Sequence, residues 1–231
     1  MVAAGKITKG ERNLRYETVK AALGHKMGFD TEQEPNPDYF EKRTTIVDGK
    51  PKSTFHFRPG GATAGIHDRV YRISDVGSDT GCTRASQSIM AEGQTQLAKN
   101  EGKTPEFDKA VAGKTLPDMY PDKASSAYQG YSGNPNGLDA SKFLPGDRVW
   151  MQNHKFDGAK DETGYEGSNV IYAGKDADGA RQYVHMDGGA IVDEGTLKGE
   201  VQGYTMDQGR QDKNLDNYRF KERYSPKPRS F

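Results

Sequence analysis

The sequence predicts an α+β fold in which a helix that carries the single cysteine packs on a mostly antiparallel sheet. The first observation is a set of small and apolar residues at helical spacing, after a loop rich in Gly, Ser and Asp: Cys82, Ala85, Ser86, Ile89 and Gly93. The second is a hairpin pattern over 44–57, closed by an Asp-Gly turn. The third is a series of short strand patterns after Pro145, separated by turn residues. Helices and antiparallel strands in separate stretches of one chain are typical of the α+β class.

The other elements are predicted from the same two periodicities. An amphipathic helix is expected over 11–27, and a short helix near 106–111 within a long irregular connection. The expected strands of the sheet are 148–152, 168–173, 181–186, 190–192 and 200–206. The 231 residues suit one substantial domain. We place that domain at 41–207, between an N-terminal helical extension, 1–40, and a polar, loosely ordered tail, 208–231.

The composition excludes several classes of function. Lysine plus arginine number 33 and aspartate plus glutamate also number 33, so no basic surface predicts a nucleic-acid or membrane partner. No run of 18 apolar residues occurs, and 1–9 lacks the apolar stretch of a secretory signal, so we expect a protein that acts in a reducing, cytoplasmic compartment. The single cysteine can form no internal disulfide and does not suggest zinc. No metal or organic cofactor is expected.

Cys82 is the candidate nucleophile because of its place in the predicted helix. Good N-cap residues occupy 78–80, so the helix is expected to start at or just before the thiol. The unpaired N–H groups and the positive dipole end of a helix favour the thiolate, which is the reactive form of cysteine. Gly81 leaves room for a substrate carbonyl, and the N–H of Cys82 is a candidate oxyanion donor.

A cysteine nucleophile needs a base, and the chain has five histidines. His185 lies within an alternating apolar and polar pattern on a predicted strand, whereas His154 lies at a strand end in a motif that resembles turn architecture. A helix-borne cysteine followed by an antiparallel sheet with a histidine is the layout of papain-like cysteine enzymes of the NlpC type. That order favours His185 as the base.

Three blocks of sequence resemble the spore-coat protein-glutamine γ-glutamyltransferases, which are bacterial transglutaminases. The blocks are 144–157 (LPGDRVWMQNHKFD), 165–174 (YEGSNVIYAG) and 183–189 (YVHMDGG), and they occur in the family's order. The run 81–85 (GCTRA) is similar to the Glu-Cys-Ala-Thr-Ala helix start that carries the family's nucleophile. The resemblance covers roughly 55–205, about two-thirds of the chain. It implies a papain-like/NlpC-like fold and a transglutaminase-like catalytic domain at 41–207.

By residue, the resemblance places the family's nucleophile on Cys82 and its histidine on His185. The glutamate that the family uses beside its cysteine falls on Ser168, and the alternative glutamate before the cysteine falls on Gly81. The cysteine–glutamate pair of the spore enzyme is therefore missing, and a cysteine–histidine pair of the papain kind remains. Three polar residues are candidates for the group that orients the histidine: Asp187, Ser168 and Asn169.

The leading hypothesis is an enzyme that transfers the acyl group of protein glutamine to lysine or another amine, with deamidation as the hydrolytic side reaction. The alternatives are an NlpC-type peptidoglycan amidase or peptidase and a catalytically silent structural protein of the same fold. The polar N-terminal region and the lack of an export signal suit a toxin or effector domain. Its expected partners are a protein with an accessible glutamine, a cognate immunity protein and a larger delivery protein.

Overall fold

The computed structural model describes residues 7–25, 40–47, 49–58, 82–114, 137–155, 165–186, 188–207, 209–210 and 212–228. The helices are α1 (Lys9–Gly24), α2 (Cys82–Asn100), α3 (Thr104–Val111) and α4 (Glu194–Asp207). The strands are β1 (Phe40–Val47), β2 (Lys50–Phe57), β3 (Arg148–Gln152), β4 (Gly167–Lys175), β5 (Arg181–His185), β6 (Ile191–Asp193) and β7 (Arg219–Tyr224). The predicted α+β class is confirmed. No helix in these ranges is long and apolar enough to cross a membrane.

The strands form two antiparallel sheets. β1 and β2 pair as a hairpin with Val47 opposite Lys50, which confirms the predicted turn position. The main sheet has the order β6-β5-β4-β3-β7, and each neighbouring pair is antiparallel. β4 is the central strand and β5, which ends at His185, lies beside it.

The main sheet buries a different apolar cluster on each face, because side chains alternate along a strand. The face that packs against α4, called here the α4 face, is made by Val149, Met151, Val170, Tyr172 and Tyr183, with Leu197 and Val201 from the helix. The opposite face, called the α2 face, is made by Ile171, Val184 and Met186, with Ala85 and Ile89 from α2 and Ala21 and Ala22 from α1. The sheet is therefore the middle layer between α4 and the α1–α2 pair.

Two sequence predictions were wrong in the C-terminal quarter of the chain. The expected strand over 200–206 lies within α4, since the buried side chains of Leu197, Val201 and Thr205 recur every four residues, which is helical spacing. The expected loosely ordered tail contains β7, which pairs with β3 and buries Phe220. β7 has a single buried apolar residue, Phe220, so its sequence shows little alternation of apolar and polar residues. Its charged residues were mistaken for those of a solvated tail.

A buried ionic cluster joins the two ends of the chain to the start of β3. Asp147 is fully buried and accepts a hydrogen bond from Arg15 Nη1 of α1 at 2.7 Å. Arg223 Nε of β7 lies 2.8 Å from the other carboxylate oxygen. The Ser225 hydroxyl and the backbone N–H of Leu144 also donate to the carboxylate, each at 2.8 Å. One carboxylate thus holds a helix, a strand and a turn in a fixed arrangement.

The helices α1 and α2 pack closely because a glycine faces a threonine. A Cβ atom on Gly93 would lie 2.5 Å from Thr18 Oγ1 and 3.0 Å from the Thr18 Cα. Thr18 cannot move away cheaply, because its hydroxyl donates to Leu14 O at 2.9 Å and its branched side chain is stiff within a helix. This contact sets how α2, and with it Cys82, approaches the sheet.

Replacement of Asp147 by alanine should destabilise the fold severely. The substitution leaves the Arg15 and Arg223 side chains, which are 5% and 11% exposed, without their shared counter-charge. Removal of one member of a buried ionic cluster costs about 3–5 kcal/mol in the free energy of unfolding, measured by urea denaturation. As a control, Glu41→Ala breaks an exposed pair with Arg43 and should leave the denaturation midpoint unchanged. Equal behaviour of the two variants would contradict a structural role for the cluster.

Two glycine-to-alanine changes in helices should have opposite signs. Gly93→Ala forces a Cβ against Thr18 and should lower the free energy of unfolding by about 1–3 kcal/mol, the usual cost of overpacking. Gly199→Ala in α4 places its Cβ where nothing lies within 4 Å, so the better helix propensity of alanine should raise stability by about 0.5–1 kcal/mol. Thermal unfolding of the two variants measures both changes in stability. Stabilisation by Gly93→Ala would show that α1 and α2 are not in contact at Gly93 and Thr18.

Candidate functional site

Cys82 opens the helix on which the predicted chemistry depends. α2 begins at Cys82, as the sequence predicts, and is buried through most of its length from Ala85 onward. The side chains of residues 82–84 lie outside the described part of the structure, as do all of residues 59–81, Gly81 included. The position of the thiol at a helix start is therefore shown for the backbone, and the direct partner of the sulfur stays a prediction.

His185 is the last residue of β5 and lies opposite Val170 of the central strand. Its side chain is 18% exposed. The imidazole Nε2 lies 3.4 Å from Ser168 Oγ and 3.2 Å from Glu200 Oε2 of α4. The backbone is held on both sides as well, since the His185 N–H donates to Ala190 O at 2.7 Å and its carbonyl lies 3.2 Å from His25 Nε2. The histidine is thus fixed in place by four separate segments.

Glu200 was missed by the sequence analysis because 200–206 was read as a strand. In α4 this residue lies one helical turn before the partly buried Tyr204, and its carboxylate reaches the end of β5. Oε2 is buried and makes no hydrogen bond of good geometry within the described ranges, so the imidazole at 3.2 Å is its polar neighbour. A helical reading of 194–207 would have placed Glu200 on a helix but not beside the histidine.

The structure brings Ser168 to His185, but it does not do the same for all three orienting candidates. Asn169 lies on the α2 face, where its Oδ1 accepts from Arg148 Nε and Nη2 at 3.0 and 2.7 Å. Asn169 therefore has a structural partner on the side of the sheet away from the imidazole. Asp187 lies outside the described residues.

The cluster of Ser168, His185 and Glu200 does not have the geometry of a serine hydrolase. In such a triad the serine and the acid bind different nitrogens of the imidazole. Here both oxygens approach Nε2, and Ser168 is only 2% exposed, which prevents contact with a substrate carbonyl. Both groups are instead suited to hold the ring in one orientation.

The side chain of His185 belongs to the α4 face, whereas α2 packs on the opposite face. Ala85 and Ile89 of α2 share one buried cluster with Val184 and Met186, the two residues that flank His185 in sequence. The start of the cysteine helix and the end of β5 are therefore neighbours across this cluster. A meeting of thiol and imidazole stays a prediction, and it would require an approach around the end of the strand rather than through the face of the sheet.

An ion pair fixes α4 on β5 near the histidine. Glu194 Oε2 lies 2.9 Å from Arg181 Nε, and Lys198 contacts the other oxygen at 3.2 Å. Burial works to raise the pKa of Glu194, but the hydrogen bonds and charges of Arg181 and Lys198 outweigh it and hold this pKa below its ordinary value. Burial, together with the Glu194 carboxylate, raises the pKa of Tyr183 well above its ordinary value, so the phenol stays neutral. α4 is thereby anchored in a position that presents Glu200 to His185.

A second histidine–carboxylate pair lies at the far end of β3. His154 Nδ1 is 2.8 Å from Asp212 Oδ2, and the His154 side chain is 41% exposed. Hydrogen bonds from Asn217 Nδ2, the backbone N–H of Asn214 and the His154 ring lower the pKa of Asp212. The pair closes a turn beside Asn153, which supports the interpretation of His154 as part of turn architecture.

Comparisons with known proteins add no relative. No family model matches the chain, no curated protein matches it, and no solved structure matches it. The candidate site therefore depends on the residues and geometry described above.

Proposed function

We propose that this protein is a cysteine acyl-transferase that acts on glutamine side chains of proteins, built on a papain-like scaffold of the NlpC type. The observation that carries the proposal is that the helix beginning at Cys82 shares one buried cluster with the two residues that flank His185. A nucleophile at a helix start and a firmly held histidine at a neighbouring strand end are the two parts that thiol chemistry requires.

The surroundings of His185 suit a general base. The ring is 18% exposed, so it is shielded yet open on one side, and contacts to its backbone and its Nε2 restrict its orientation. An exposed histidine with free rotation would lose the alignment that proton transfer needs. The five-stranded antiparallel sheet with the cysteine helix on one face supports the papain-like layout.

The proposed reaction has two acyl-transfer steps. In the first, the imidazole of His185 takes the Cys82 proton, the sulfur attacks the glutamine side-chain carbonyl carbon, and a tetrahedral oxyanion forms. The imidazolium returns the proton to the amide nitrogen, the C–N bond breaks, and ammonia leaves a thioester. In the second, a lysine amine attacks the thioester and gives up a proton to His185. The C–S bond breaks, the thiolate regains a proton, and an isopeptide bond remains.

Water competes with the amine for the thioester, and its attack yields glutamate instead of a crosslink. Exclusion of water from the thioester therefore decides between transamidation and deamidation. The resemblance of 144–157, 165–174 and 183–189 to the spore-coat transglutaminases supports glutamine as the acyl donor and an amine as the acceptor. No metal or organic cofactor enters either step.

Mass spectrometry of a glutamine-rich protein incubated with the enzyme and a primary amine tests the proposal. The expected result is amine incorporation at glutamine, with smaller amounts of glutamate. Cys82→Ala should abolish both products, and His185→Ala should lower turnover roughly 10²–10⁴-fold, the usual worth of a positioned general base. His154→Ala is the matched control. It removes a histidine that also lies against a carboxylate, here through Nδ1, and it should leave turnover within a few-fold of the unmodified chain.

Two outcomes would contradict parts of this proposal. Glutamate as the sole product, with Cys82 required, would identify a deamidase or amidase with the same cysteine chemistry. Full turnover by Cys82→Ala, or a larger loss in His154→Ala than in His185→Ala, would overturn the assignment of the nucleophile or the base.

A further inference from the structure

We infer that Glu200 is a positioning residue whose carboxylate, 3.2 Å from Nε2 of His185, favours a proton on that nitrogen and so selects Nδ1 as the nitrogen that exchanges a proton with the nucleophile. The first half of this inference concerns the resting imidazole alone. The second half rests on the function proposed above, since it assigns a role in thiol chemistry. Glu200 takes the place of the glutamate that the resemblance assigns to position 168, which is serine in this chain.

The contacts at Nε2 support one tautomer. A carboxylate accepts hydrogen bonds and cannot donate them when ionised, so a neutral imidazole beside it must present an N–H. Glu200 Oε2 lies 3.2 Å from Nε2, and Ser168 Oγ lies 3.4 Å from the same nitrogen. A proton on Nε2 is attracted by the carboxylate at 3.2 Å and can be donated to the Ser168 hydroxyl. The lone pair then lies on Nδ1, which is the form that accepts a proton from a thiol.

Burial gives the Glu200 contact its weight. The side chain is 34% exposed as a whole, but the Oε2 atom is buried and has no hydrogen-bond partner within the described ranges, so the ring at 3.2 Å acts on it through charge. A buried carboxylate oxygen without a donor is costly, so the imidazole N–H stabilises the carboxylate as much as the carboxylate orients the ring. The two groups are held at this distance by Glu194 and Arg181, which fix α4 against β5.

Because position 168 is serine in this chain, the carboxylate beside His185 comes from Glu200. A glutamate at position 168 would come from the central strand, next to the histidine strand, whereas Glu200 approaches from the helix that covers the α4 face. The Ser168 side chain carries no charge, but its hydroxyl lies within reach of Nε2. Charge and hydroxyl thus come from two different elements and meet at one ring nitrogen.

Nuclear magnetic resonance of the full chain labelled with ¹⁵N-histidine tests the inference without any substrate. Two-bond proton–nitrogen correlations identify which ring nitrogen of His185 carries the proton at a pH where the ring is neutral. The unmodified protein should show the Nε2–H tautomer alone. Glu200→Ala should give a mixture of both tautomers, and the helix should persist because alanine is the best helix former. Glu200→Gln retains an oxygen acceptor and should keep more of the Nε2–H tautomer than Glu200→Ala.

Asp207→Asn is the matched control for these variants. It removes a carboxylate from the same helix, at an exposed position near its C-terminus, and should leave the tautomer unchanged. An Nδ1–H tautomer in the unmodified protein, or an unchanged tautomer in Glu200→Ala, would overturn the inference. The tautomer is measured without substrate, so its result does not depend on whether the protein modifies glutamine. This inference can therefore fail while the proposed function holds, and the reverse.

Turnover with a glutamine donor tests the catalytic consequence. Glu200→Ala should lower kcat about 10- to 100-fold, the worth of one hydrogen bond to a charged group, and leave KM nearly unchanged. Glu200→Gln should recover part of that loss. A rise in KM with kcat unchanged would show that Glu200 contacts substrate instead of positioning the base.

Discussion

The carboxylate of Asp147 joins the first helix, the turn before β3 and β7 at one buried point. It is fully buried, and it is surrounded by Arg15 from the first helix and Arg223 from the last strand. A buried charge with its counter-charges in place is tolerated, while the same charge alone is prohibitive. Residues more than 200 positions apart must therefore assemble around it together. The cluster joins both ends of the chain to β3, which makes α1 and β7 integral parts of the fold.

The candidate site lies near this cluster in the same sheet, since His185 pairs with Val170, and Val170 pairs with Val149 at the start of β3. Arg15 fixes α1 at Asp147, and the C-terminus of that helix places His25 at the carbonyl of His185. On the other face, Arg181 and Glu194 fix α4, which supplies Glu200. His185 is thus positioned from both faces of the sheet by helices that are themselves pinned by ion pairs. A rigid scaffold of this kind is what a general base requires, because its alignment must survive each catalytic cycle.

The sequence predicted the elements with strong periodicity and missed those set by tertiary contacts. The cysteine helix, the hairpin and four strands of the sheet follow from residue spacing and turn residues. The whole helix over 194–207 was missed, because three glycines weaken its helical signal and only burial of Leu197 and Val201 reveals it. Glu200 could not be found beside His185 for the same reason. No local pattern shows which carboxylate a fold brings to a histidine.

Alkylation of the single cysteine by iodoacetamide at neutral pH tests the central claim most directly, since every adduct reports on Cys82. An ordinary thiol is only about a few per cent ionised at this pH, whereas a thiol paired with an imidazolium is largely thiolate and is alkylated faster. Cys82 should react roughly tenfold or more faster than free cysteine. His185→Ala should remove this advantage, while His154→Ala should retain it. A rate below that of free cysteine, unchanged by His185→Ala, would show an inert structural thiol and contradict the assignment of Cys82 and His185 as nucleophile and base.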